Sequence, residues 1–297
     1  MKNFIFNHTE YYEYRTTIIY IITFFVFINA LVLAPDFFNI YSVHGLVDGN
    51  INDALLPKKF FTLNTLSSFF SKSGLNINYF LAIFLTVYLG TFVCILLNIY
   101  RFVFSFLALI MHSILINSSY SFTYGADNMI SIALYVNALL CLIDIIKPKY
   151  KEMVFSAVIR LFQVQLCLVY FFSGVGKALG TDWFDGEAIW LVMNVYTSQS
   201  SWLDYLGFNF PQVFIFLSLF IMLLEIFYPL LVNISKIRKA TVLAVILMHI
   251  GISLIIGLHT FAGIMILMNI VAYYPELIKI INEKIKKYGF VFKKYQF

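Results

Sequence analysis

The sequence predicts an all-α polytopic membrane protein: a single domain over 1–297 with about eight transmembrane helices and interfacial helices in two outer loops. Three observations carry this. Of 297 residues, 61% are hydrophobic and 12% charged, against roughly 25% charged in an ordinary soluble domain. Uncharged apolar runs recur at the ~18 residues or more that a spanning helix needs. The basic residues between those runs fall on alternate sides in the way that orients membrane helices.

The runs place helices at about 16–34, 79–98, 102–118, 129–146, 153–175, 212–233, 240–257 and 260–274. The last two share one uncharged stretch, 240–275, and are separable only if Gly257, His259 and Gly263 make a tight turn. The opening MKNFIFNHTEYYEYR carries Glu10, Glu13 and Arg15 and has no small-residue cleavage site, so the first span is expected to be retained. With both termini cytoplasmic, the inner side receives Lys2, Arg15, Arg101, Lys147, Lys149, Lys151, Lys236, Arg238, Lys239 and the lysines of a basic tail from about 275 to 297. The outer side receives only Lys58, Lys59, Lys72 and Lys177. This asymmetry predicts a multi-pass protein of the cell's inner (plasma) membrane. The net charge of +5 is therefore the cytoplasmic face of a membrane protein, and membrane lipid rather than nucleic acid is the expected partner.

The outer segments 35–78 and 176–211 mix Asn, Ser, Gly and Asp with aromatics. Residues 188–203, AIWLVMNVYTSQSSWL, are uncharged and suit a helix lying in the interface. Cys94, Cys141 and Cys167 stand singly in apolar segments, which indicates neither a disulfide framework nor a redox pair. No metal-ligand spacing accompanies His112, His249 or His259, so no bound metal is expected.

Ionisable groups inside a bilayer are costly and mark function by default. The fifth run holds Arg160, Gln163, Cys167, Tyr170, Gly174 and Lys177 at spacings of 3, 4, 3, 4 and 3, which puts all six on one helical face. That face is expected to look into the bundle, with Gly174 and Gly176 permitting close packing. Glu225 lies well inside the sixth run with Tyr228 on its face, and Arg160, Lys177 or a histidine is its expected counterpart. His249 sits mid-helix with Ser253 on its face. The loop INSSYSFTYGADNM carries Asp127 and Asn128, and GTDWFDG carries Asp182, Trp183 and Asp185. Each loop reads either as helix caps and an interfacial anchor or as part of a polar pocket that opens outward. A lysine at the mouth of such a pocket is available as base or nucleophile if its ammonium is desolvated, whereas Asp182, Asp185 or Glu187 nearby would hold it charged.

The succession RLFQVQLCLVYFFSGVGKALGTDWFDGEAIW, LLEIFYPLL and MHIGISLIIGLHTFAGIMILMNIVAYYP resembles the transmembrane domain shared by vitamin K-dependent gamma-carboxylases and their bacterial relatives, the horizontally transferred transmembrane (HTTM) domain. The likeness runs over almost the whole chain, and Tyr-x-x-Ser-Gly-x-x-Lys followed by Asp-Trp-x-x-Gly is its most specific block. In the animal carboxylases a lysine of this block is the base that deprotonates vitamin K hydroquinone, and Lys177 is the matching position. The resemblance thus implies a quinone cofactor and modification of a peptide or lipid at the outer face. Lys177 would be the base, tuned by Glu225 and Tyr170, with Asp127, Asn128, Asp182, Trp183, Arg160, Gln163 and His249 around the pocket. The chain departs from the carboxylases in lacking a histidine in the 117–128 loop and the large luminal region that binds their substrate, so glutamate carboxylation itself is not implied. A second branch, resembling the sporulation-delaying protein B family, implies instead a non-catalytic component that matures, exports or handles a secreted peptide toxin, with that peptide or a small membrane protein as partner.

Overall fold

The structure, a computed structural model, describes residues 9–287 except 43, 57–59, 72, 73, 75, 121 and 197–200. Lys2, Lys58, Lys59, Lys72, Lys293 and Lys294, and the tail beyond Lys287, lie outside the described residues. The chain is all-helical among them, and it divides into two compact units: residues 1–158 with 279–297, and Ile159–Ile278.

In unit 1, α1 (Arg15–Leu33) is followed by the short helices α2 (Phe37–Tyr41), α3 (Gly49–Leu55) and α4 (Leu63–Ser71). The long helices α5 (Ile77–Leu96), α6 (Arg101–Ser118) and α7 (Gly125–Leu142) come next. Helix α8 (Lys151–Ala178) begins in unit 1 and runs into unit 2. Helices α1, α5, α6 and α7 pack as neighbours around Ile19, Ile22, Phe92, Ile95, Leu134 and Leu140, all fully enclosed. Polar side chains tie these helices together where hydrocarbon leaves them no water. Asn137 donates to Thr23 at 3.1 Å and to Ser105 at 3.4 Å. Arg15 donates to the Leu140 carbonyl at 2.9 Å and to Asp144 at 2.6 Å, so its fork is spent on joining α1 to the end of α7. His112 is likewise structural: its Nδ1 lies 3.0 Å from the Tyr88 hydroxyl.

Unit 2 continues α8 and adds α9 (Glu187–Tyr196), α10 (Ser201–Asn209), α11 (Pro211–Leu231), α12 (Arg238–Gly251) and α13 (His259–Tyr273). Helix α14 (Pro275–Lys287) starts in unit 2 and ends in unit 1. The single interfacial helix expected over 188–203 is thus helix over Glu187–Tyr196 and again from Ser201, with 197–200 outside the described residues. Helix α13 is the centre of the unit, with Ile264, Met268 and Asn269 fully enclosed.

Among the described residues seven helices are long and apolar enough to cross a membrane, with at most half of the residues in each apolar window buried, and the bent pair α13–α14 makes an eighth if it is one span. The remaining apolar surface, such as Phe24, Val32, Val103, Phe216 and Leu247, faces outward. Hydrocarbon tolerates that surface and water does not. The chain is therefore a multi-pass membrane protein. Its eighth element differs from the others: α13 has 15 residues, about 22 Å at 1.5 Å per residue against a ~30 Å core, and it meets α14 at a 99° bend. The turn before it is made by Gly257, whose φ is 78°, after a π-helical stretch over Ile252–Ile256. Gly263 does not take part in the turn, because α13 has already started at His259.

Candidate functional site

The six-residue stripe on α8 faces the interior of unit 2, and its partners explain the spacing. Gln163 donates to the Ala272 carbonyl at 2.6 Å, and Cys167 Sγ lies 3.3 Å from the Tyr273 hydroxyl. Tyr170 meets His249 Nε2 at 2.9 Å and receives a hydrogen bond from Asn269 at 2.8 Å. Gly174 abuts α11, and Lys177 ends the stripe on Glu225.

Gly174 is what brings the two charges together. A Cβ added there would stand 2.6 Å from Ile226 N and 3.0 Å from Glu225 Cβ, so only glycine lets α8 approach α11 this closely. Gly176, expected to serve the same purpose, has nothing within 4 Å of such a Cβ. Gly174→Ala should therefore lower stability by about 1–3 kcal/mol in detergent unfolding, the usual cost of overpacking, while Gly176→Ala leaves it unchanged. Equal effects at the two positions would refute this assignment of the contact.

Lys177 Nζ is 2.6 Å from Glu225 Oε2 and 2.8 Å from Ser173 Oγ, and lies over the Trp183 ring, 5.1 Å from its centroid. Of the three counterparts open to Glu225 in the sequence, Lys177 is the one it takes. Both side chains are largely covered, at 19% and 8% exposure. The lysine sits in the last turn of α8, where the helix dipole also favours a cation. The GTDWFDG segment supplies Trp183 to this ammonium. Asp185 Oδ1 then accepts from the Glu187 backbone N–H at 3.1 Å and so starts α9, while Asp182 is exposed and accepts from Thr181.

These groups line one cavity of about 560 Å³, within the range of small-molecule sites. Its polar wall is Tyr170, Ser173, Lys177, Glu225 and His249, and the rest is apolar, including Val192, Leu217, Phe220, Leu247, Ile255 and Phe261. Five of the ten residues singled out from sequence therefore come together here: Lys177, Glu225, Tyr170, Trp183 and His249. The other five do not line the cavity. Gln163 is used in packing, Arg160 lies three residues before it on α8, and Asp182 is exposed. Asp127 and Asn128 belong to unit 1, where Asp127 caps α7 by accepting from the Tyr124 backbone N–H at 3.0 Å and Asn128 is exposed. Ser253, expected beside His249, instead lies 2.9 Å from His259 Nδ1.

Sequence reasoning missed Ser173 and Asn269. The first stands one turn before Lys177 on the same face, and the second is a single amide in the apolar run ILMNIVAYY. Asn269 links Tyr170 to Tyr228, whose hydroxyl donates to Asn269 Oδ1 at 2.7 Å. Among the described residues, no three His, Cys, Asp or Glu side chains are grouped to hold a metal.

Comparison of the chain with protein-family models, curated proteins and solved structures gives no match in any of the three.

Proposed function

We propose that this is an integral membrane protein of the HTTM type that binds an amphipathic peptide or lipid in the unit 2 cavity and modifies it at the outer membrane face, with Lys177 as base. One observation carries the reading: a lysine–glutamate pair 2.6 Å apart is set in the wall of an otherwise apolar cavity, where ionisable groups are costly unless used. Lys177 is ion-paired with Glu225, so acting as base requires it first to pass a proton on. The Glu225 carboxylate is the acceptor within reach. The orientation, with both termini cytoplasmic in the inner membrane, rests on the lysine and arginine asymmetry of the loops. A reduced quinone, the cofactor implied by the resemblance, fits the apolar lining and the size of the cavity. Lys177 and Trp183 would flank it, and it would supply reducing power for oxygen chemistry.

The test is mass spectrometry of small molecules and peptides that co-purify with the protein in nanodiscs, for wild type, Lys177→Met and Lys177→Arg. Arginine keeps the charge but yields no free amine, so it should retain the bound molecule and lose its conversion. Methionine should lose conversion as well. Undiminished conversion by Lys177→Met would sink the catalytic reading.

A second reading is favoured by the completeness of the ammonium's surroundings, with Ser173, Glu225 and Trp183 all engaged. In it the protein is a non-catalytic component, like the sporulation-delaying protein B family, and the cavity cradles a secreted peptide. A short secreted peptide encoded beside this chain supports that reading. A quinone-reducing partner supports the first.

A further inference from the structure

The hydrogen bonds around Asn269 have a fixed direction. Its Nδ2 is 2.8 Å from the Met265 carbonyl, which only accepts, so the amide cannot be turned over. The second Nδ2 hydrogen then goes to the Tyr170 oxygen at 2.8 Å, and Oδ1 takes the Tyr228 hydrogen. Among the described residues the other polar neighbour of the Tyr170 hydroxyl is His249 Nε2 at 2.9 Å, and accepting there too would leave the tyrosine's own buried hydrogen unpaired, so Tyr170 donates to His249. An imidazole that accepts at Nε2 is neutral and carries its hydrogen on Nδ1. That Nδ1 is buried and without a hydrogen-bond partner among the described residues, on a histidine 2% exposed that lines the cavity. A buried donor left unpaired is costly, so the fold holds in reserve a hydrogen bond that its own residues do not use.

Resting on the reading of this cavity as a ligand site, we infer that His249 Nδ1–H is its specificity-determining donor and that it selects a neutral carbonyl oxygen on an apolar molecule. The charge balance sets the class. Lys177 is already matched by Glu225, so an anionic head would bury a charge without a counterion, and a cationic head would face an ammonium and an N–H that cannot accept. An uncharged acceptor meets the donor without either cost. Phe261, with its ring centroid 5.7 Å from that of His249, and Met248 offer apolar surface beside it.

The test uses wild-type protein in nanodiscs with ¹⁵N-labelled histidine, His249→Phe to assign the signal, and two probes: a long-chain methyl ketone and the alkane of equal length. The Nδ1–H tautomer is expected, with a resonance that moves on adding ketone and not alkane. Ketone affinity should fall about tenfold in His249→Phe, the worth of one hydrogen bond, while alkane affinity holds. Should the phenylalanine variant not fold, the wild-type tautomer decides, since an Nε2–H imidazole overturns the inference. Ketone and alkane binding that fall together also overturn it and leave the cavity reading standing. If neither probe binds wild type, the cavity reading falls and takes this inference with it.

Discussion

Glu225→Leu should cost about 3 kcal/mol of stability, because removing one partner of a buried pair strands the other charge where water cannot reach it. Lys177 loses the carboxylate at 2.6 Å and keeps only Ser173 and the Trp183 ring, at 19% side-chain exposure. The double variant Lys177→Met with Glu225→Leu should recover most of that loss, since two apolar side chains meet no desolvation penalty in a cavity that is already largely apolar. A double-mutant cycle by denaturant unfolding in detergent measures the coupling. Additive losses would mean that the two charges do not depend on each other, and the ion pair would then carry no weight in the site.

Gly186→Ala comes next in size. Gly186 has φ 85°, where a side chain is strained by about 1–2 kcal/mol. A Cβ there would also lie 2.6 Å from Ile215 N and 2.8 Å from Phe214 C, backbone atoms of α11 that cannot step aside. The two costs act together, so a loss of about 3 kcal/mol is expected. The consequence reaches the cavity, because Gly186 joins Trp183 to α9, which carries Ile189, Val192 and Met193 of the wall. Gly180→Ala is the control in the same segment, its Cβ meeting atoms at 3.7 Å and beyond. An equal loss at both glycines, read as the shift in unfolding midpoint, would show that general loop rigidity and not this approach is responsible.

Helix positions were legible because they depend on local composition. All eight expected spans start within four residues of a helix, from Arg15 at the first to His259 at the last. The exception in kind is the eighth: 260–274 forms a 15-residue helix that passes as a span only together with α14, from which it is bent by 99°, and hydropathy does not register such a bend. Half of the residues singled out from sequence lie in the candidate site, for a similar reason. Charges and polar groups in hydrocarbon are rare, so Lys177, Glu225 and His249 drew notice by type alone. Asp127 and Asp182 drew the same notice and are a helix cap and an exposed carboxylate, since Asp127 lies in the polar first turn of α7 and Asp182 in the polar segment before α9, where such residues need no special use.

Composition and period suffice for the class, the helix positions and the face of α8 that turns inward, since a 3.6-residue period fixes which side chains share a side of one helix. What that face meets depends on how the folded helices pack. Glu225 is 48 residues from Lys177, His249 is 79 from Tyr170, and Asn269 is 99 from Tyr170. Periodicity says nothing about how far one helix is slid or rotated against another. That register comes from packing, here from the close approach of α8 to α11 at Gly174, whereas Gly176 faces open space. The direction of the bonds through Asn269, and with it the hydrogen on His249 Nδ1, follows from one carbonyl, that of Met265. A backbone acceptor sits in every residue of every helix, and which one meets an amide is known only once the chain is folded.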